Sequence, residues 1–371
     1  MNIIHYNPWG DKLSAFYIDT LCKSMEGQAV CRVANTIVEL RREMTKEHAD
    51  IIDIHGCWHY SIFFAAIMAR RNHTRIVITP HGQLEPWVTR RHWITSTLPR
   101  LMLYQRRTVR QAYSVIVMGK MEYENIERLG WTKRIETIPC SLFTSSTTDA
   151  EMAKQTLAVF RKVMDSNVVE LMLPNTSMAL HALYKAYIIA DRDWMATEER
   201  KAVEQLDDEG WRQIEIYAHH TSTLFDIRKG ADVMGISLPD CQPSKIACYL
   251  PNNHDKTFQH QRFPHLATAE KGMHSPADFV EMIKKLNQKT RAHTLAIADI
   301  LQFAETLYNL RTDEDEVRYL LSEEQLTPFA ARMMQLASHF TLLPPGFFIV
   351  APRNDRRTRK IKNTILKILE I

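Results

Sequence analysis

The chain has 371 residues and only 11 glycines, about 3% against a usual ~7%. With 45% apolar and 24% charged residues it carries ample core for about two domains, which excludes collagen, low-complexity disorder and flexible-linker architectures. A net charge of +4 is too slight to demand a polyanionic partner, and no nucleic-acid ligand is expected, since strand-borne aromatic stacking motifs are absent.

In chain order, short β-branched runs at 2–6, 29–33, 50–55, 75–79, 114–118 and 134–138 alternate with segments of helical spacing at 12–25, 35–46, 58–71, 94–112 and 120–129. Runs that are apolar on both faces suit parallel strands buried on both sides, so residues 1–141 read as a Rossmann-like, doubly wound α/β domain. Beyond 141 the rhythm changes. A polar connector (SLFTSSTTD) leads into helical patterns at 150–164, 178–190, 197–209, 277–289, 294–310, 314–321 and 329–339. Ser275-Pro276 and Thr327-Pro328 mark helix starts. QIEIYA (213–218) reads as a strand there, with weaker candidates at 245–250 and 347–350, and 251–276 reads as a long loop. The expected division is therefore 1–141, a divergent helix-rich domain at 142–352, and a basic amphipathic helix at 353–371. The six cysteines include no CxxC pair, which predicts reduced thiols in a cytosolic protein without a zinc framework. No run approaches the ~18 apolar residues of a membrane span.

Ligands of open parallel sheets bind beyond the carboxyl ends of the strands, so chemistry is sought there. ITPHGQLEPW (78–87) ends a strand on His81-Gly82, with Glu85 and Trp87 close behind. His81 either contacts a phosphate or substrate hydroxyl or is a structural histidine bonded to a neighbouring loop. IIDIHGCWHY (51–60) ends another strand on His55-Gly56, and Trp58 and His59 are expected to open the following helix. Trp58 serves either as a sugar platform or as core packing. His254, His260 and His265 have spacings that fit no common metal motif, and His219-His220 would face a crevice if QIEIYA is a parallel strand.

DIIDIHGCWHY, VITPHGQLEPW, the arginine-rich helix downstream, VIVMGKMEYENIERLGW and RIETIP together resemble, in order and spacing, the N-terminal, acceptor-side domain of family-four glycosyltransferases. The resemblance implies a GT-B architecture of two Rossmann-like domains. It also implies retaining transfer of a sugar from a nucleotide sugar to a polysaccharide or lipid-linked glycan, with no obligatory metal or other cofactor. By that resemblance His81 falls on the catalytic cleft histidine. Gly10, Gly82 and Lys229 become donor-phosphate contacts, and His55, Trp58, Glu85, Trp87 and Glu122 acceptor contacts. The first loop, NPWGDKLSAFY, keeps one glycine of the family's usual pair, and Glu316 and Glu324 have the donor-domain glutamate spacing without its glycines. Lys229 is read from RKGADVMG as the lysine after a donor-domain strand. The alternative is a non-catalytic module derived from a glycosyltransferase. The basic segments Arg90–Arg110 and Arg353–Ile371 suit either an anionic membrane surface or solvated helices packed on their domain, which makes the protein cytoplasmic with an option of peripheral attachment.

Overall fold

The computed structural model describes residues 1–90, 101–145, 147–166, 168, 172–236 and 275–367. Chain contacts divide it into two compact units, the first running from Met1 to Ser166 and the second containing the described residues from 168 onward. The first unit thus extends past the boundary expected at 141. The reason is the helix Asp149–Met164, whose apolar side, with Met152, Phe160 and Val163 buried, packs on the sheet unit.

All six expected strands form: β1 (Asn2–Tyr6), β2 (Val30–Ala34), β3 (Ile51–His55), β4 (Arg75–Thr79), β5 (Ser114–Val117) and β6 (Ile135–Thr137). They make one parallel sheet in the order β2-β1-β3-β4-β5-β6. Between them lie α1 (Lys12–Ser24), α2 (Ile37–Lys46), α3 (Ser61–Arg71), α4 (Pro86–Arg90), α5 (Arg106–Gln111, entered through a π-helical turn at Leu101–Gln105) and α6 (Lys120–Leu129), and α7 (Asp149–Met164) follows. Residues 91–100 of the expected helix at 94–112 lie outside the described set. The strand order reverses between β1 and β3, which opens a crevice at their carboxyl ends.

Alternation within strands gives the sheet two different faces. Ile4, Tyr6, Ile52, Ile54, Ile76, Ile78, Val115 and Val117 point into one apolar cluster with Leu40 of α2 and Ile62 and Ala65 of α3. Each such buried side chain contributes about 1.5–3 kcal/mol. The in-register pairs His5↔Asp53 and His55↔Thr79 put four polar residues on the other face, all of them fully buried.

The second unit is helical throughout its described residues: α8 (Pro174–Ile189), α9 (Thr197–Glu204), α10 (Asp208–Thr221), α11 (Leu224–Met234), α12 (Pro276–Arg291), α13 (Ile297–Asn309), α14 (Glu314–Glu323), α15 (Thr327–Thr341) and α16 (Arg356–Lys367). Its core includes Phe279, Ile283, Leu286, Ile300, Phe303, Leu307, Met333 and Met334. Ser275 caps α12 through a reciprocal box with Asp278, as its sequence signal predicts.

QIEIYA is not a strand but the middle of α10. Asp207 caps that helix by accepting from Gly210 N at 2.8 Å, and residues 213–218 are buried all round, so no one-sided helical period shows in the sequence. His219 and His220 consequently sit on the last turn of a helix rather than past a strand. Residues 347–350 form the end of a 3-10 turn and an extended segment, not a strand. The expected strand at 245–250, the loop histidines His254, His260 and His265, and Cys241 and Cys248 lie outside the described residues. Among the described residues, the second Rossmann-like sheet of a GT-B architecture does not occur.

Candidate active site at the carboxyl ends of β1, β3 and β4

Three histidines line up at the reversal of strand order. His5 Nδ1 lies 3.0 Å from His55 Nε2, and His55 Nδ1 lies 2.9 Å from His81 Nε2. The His55 and His81 rings stack at 25° with centroids 5.1 Å apart, and Tyr17 of α1 meets both edge-on. Beneath them Asp53 Oδ2 sits 3.4 Å from His5 Nδ1 and 3.3 Å from His55 Nε2, while its Oδ1 accepts from Thr79 Oγ1 at 2.9 Å.

The electrostatics assign the protons. Burial opposes charge on Asp53, but His55 and His5 together hold its carboxyl far below the carboxylate range. Burial also opposes charge on His5, yet the Asp53 carboxylate and the Cys31 thiol raise its pKa to about 9, so His5 is an imidazolium at neutral pH. Burial lowers His55. Burial and the neighbouring His55 push His81 down to about 3, so both of these rings are neutral. Two neighbouring imidazolium rings inside one buried cluster would repel without solvent screening, which is why only one of the two rings beside Asp53 keeps its charge. The tautomers set the direction of the two ring–ring hydrogen bonds. His81 is therefore a neutral imidazole at the end of a relay, rather than a cation.

His81 holds a left-handed backbone (φ 53°), uncommon for a non-glycine residue, and the turn is fastened from below. Glu122, in the first turn of α6, accepts from Gly82 N at 3.3 Å and Leu84 N at 3.1 Å, and Asn125 Nδ2 donates to Leu84 O at 2.6 Å. Burial raises the Glu122 carboxyl to about 7 against the opposing pull of the two amides. Glu122 is 1% exposed and its oxygens face backbone, so it positions the His81 turn. It is not the acceptor contact expected of it. His55 is likewise fully buried, with His81 between it and the end of the relay.

Trp58 is corrected in the same way. Its Nε1–H donates to Gln83 O (2.8 Å), its amide to Gln105 Oε1 (2.8 Å), and its carbonyl accepts from Tyr104 Oη (2.6 Å). With the ring in the apolar cluster, Trp58 is core packing, not a sugar platform. Helix α3 starts at Ser61, where His59 Nδ1 and Ser61 Oγ lie 2.6 Å apart.

The exposed rings at this end are others. Trp9 is 45% exposed, anchored by Nε1–H to Cys57 O (2.8 Å) and edge-on to His59, which stacks on the exposed Tyr60. Trp9 lies over Gly56 (φ 88°), where a Cβ would come within 2.9 Å of its ring. Trp87, on α4, is also exposed. Glu85 is half-buried, its Oε2 lacks a hydrogen-bond partner, and burial raises its pKa. Gly10 (φ 60°) has open space where a side chain would project, and Gly82 (φ 78°) permits the turn behind His81.

Lys229, expected after a strand, is instead a mid-helix residue of α11, exposed, and 3.9 Å from Asp232. The neighbouring Gly230 is explained by helix packing, since a Cβ there would lie 2.1 Å from Leu183 O. Glu316 and Glu324 belong to α14 and its C-terminal cap, with Glu324 paired to Lys284.

Of the basic segments, Arg106, Arg107 and Arg110 are exposed beside the exposed Leu103. In α16, Ile365 is buried in the core of its unit and Ile361 packs against that core, so the described apolar side of this helix is already occupied. Its basic side, Arg356, Arg357, Arg359 and Lys360, is exposed, and Asp355 ties its start to Arg332 at 2.8 Å. No helix among the described residues is long and apolar enough to cross a membrane.

At the strand-order reversal of the parallel sheet, where ligands of such sheets bind, a histidine stands on a clamped turn with exposed aromatic rings at the same end. Residues 27–145 match the model of Glycosyltransferase Family 4. The N-terminal region of the chain is glycosyltransferase-like. The match holds His55, His81, Glu85 and Glu122 but begins after β1 and α1, so His5, Gly10 and Cys22 lie outside it. No curated protein and no solved structure matches the chain.

Sequence reading missed His5 and Asp53 because each sits inside an otherwise apolar strand. The available signal was a polar residue at equivalent alternating positions of three neighbouring strands, which becomes visible only once strand order and register are known.

Proposed function

We propose that this glycosyltransferase-like protein transfers a sugar from a nucleotide sugar to a glycan or lipid-linked acceptor, with retention, at the carboxyl ends of β1, β3 and β4. The single observation that carries the reading is the placement of His81 at the strand-order reversal, linked through His55 to His5 and Asp53. A neutral imidazole there hydrogen-bonds a sugar hydroxyl without adding charge. The Gly10 loop lets phosphate approach backbone, Glu85 supplies an unpartnered carboxyl, and the rings of Trp9, Tyr60 and Trp87 offer apolar faces to acceptor sugars. Exposed Arg106, Arg107 and Arg110 suit a peripheral position on anionic lipid on the cytoplasmic side.

Product formation from a panel of nucleotide sugars and lipid-linked acceptors tests this directly. His81→Ala should abolish it while leaving circular dichroism unchanged; turnover that survives the substitution refutes the assignment.

One observation favours a second reading, a sugar-binding module without transfer: the described residues of the second unit are all helical. Calorimetry separates the two. Micromolar binding of a nucleoside diphosphate supports transfer, whereas binding of glycan alone supports the module.

A further inference from the structure

The His5 ring leaves an atom unaccounted for. Its Nδ1 is engaged by His55 and Asp53, but Nε2 is buried without a hydrogen-bond partner on a side chain that is fully buried. An orphaned buried ring nitrogen is costly, so its persistence calls for an explanation. Two thiols lie beside the ring. Cys22, on the last turns of α1, and Cys31, on β2, place their sulfurs and a nitrogen of His5 within 4.8 Å of one another. Both cysteines are half-buried, so the cluster reaches solvent on the thiol side.

We propose that His5 Nε2, Cys22 Sγ and Cys31 Sγ form a binding site for a thiophilic divalent cation, Zn²⁺, with water in the fourth position. Zn–S and Zn–N bonds of about 2.3 and 2.0 Å separate tetrahedral donors by roughly 3.5–3.8 Å, which the cluster reaches by a slight contraction. The ion displaces the protons of the two thiols and any proton on His5 Nε2, and these leave to solvent. Nδ1–H stays on the ring beside Asp53, giving the carboxylate–histidine–metal arrangement that fixes tautomer and raises ligand basicity. Thiolate and imidazole donors favour this ion over Mg²⁺ or Ca²⁺. The three consecutive elements β1, α1 and β2 would be joined at one point, and α1 carries Tyr17, which contacts His81. This site is independent of the sugar-binding reading, because its test requires no sugar, nucleotide or turnover.

The test is zinc titration of the reduced, metal-stripped full chain against a chromophoric chelator. The expected result is one tightly bound zinc per chain, weakened roughly tenfold or more in Cys22→Ser and in Cys31→Ser but retained in Cys140→Ser and in the double variant Cys241→Ser/Cys248→Ser. A second readout needs no variant: zinc should protect Cys22 and Cys31 of the native chain from alkylation, mapped by mass spectrometry, so a misfolded variant leaves the question decidable. No zinc binding by the native chain, unchanged alkylation of both thiols, or loss of zinc in the Cys241/Cys248 variant overturns the proposal.

Discussion

Replacing Glu122 by glutamine sets two opposing forces on one carboxyl against each other. Burial at 1% exposure raises its pKa from 4.5 to about 7, while the amides of Gly82 and Leu84 stabilise the charged form. A carboxyl whose folded pKa lies above its unfolded value contributes stability that is fully present below pH 4.5 and is lost as pH rises through about 7. At 1.36 kcal/mol per unit, the loss approaches about 3 kcal/mol, undiluted by solvent screening because the group is buried. Glu122→Gln keeps the shape and removes the titration. Urea unfolding at pH 5 and pH 8 should therefore show native protein losing about 2.5 kcal/mol relative to the variant between the two pH values. A difference that does not move with pH, or one in which native protein gains as pH rises, refutes the reasoning. It would mean that the two amide hydrogen bonds outweigh burial, making Glu122 an ionised anchor of the His81 turn.

Two further substitutions separate structure from ligand contact. Trp58→Ala should destabilise by about 3–5 kcal/mol, because a buried ring leaves a cavity and the Nε1–H bond to Gln83 O is lost, whereas Trp9→Ala should cost under about 1 kcal/mol in thermal unfolding yet weaken binding of glycan measured by calorimetry. Equal effects of the two on stability would contradict the assignment of Trp9 to the site. Gly56→Ala should destabilise by roughly 1–3 kcal/mol, since its φ of 88° is strained for alanine and the new methyl strikes Trp9 at 2.9 Å; tryptophan fluorescence unchanged from native would show that Trp9 does not rest there.

Much of the first unit was legible because its strands are short, β-branched and separated by helices of regular period, a pattern set by local geometry alone. His55 and His81 were legible for a related reason: each ends a strand and precedes a glycine. What those histidines do was not. His55 and Glu122 resemble ligand contacts in sequence, and only the tertiary structure buries one in a relay and turns the other against the backbone of the His81 loop. QIEIYA was misread because a helix buried on every side loses the polar face that gives helices away.

By itself, the sequence determined which segments alternate as strand and helix in residues 1–141, and that their carboxyl ends carry the glycines, histidines and aromatic residues of a site. The tertiary structure alone decided that His5, Asp53, His55 and His81 form one chain of contacts, that Cys22 and Cys31 meet His5, and that Lys229 stands on a helix apart from any strand end. The physical reason is that strand periodicity is encoded within a few residues, whereas strand order and register, which bring residues 5, 53, 55 and 79 onto one buried face, are set by long-range pairing that no local pattern records.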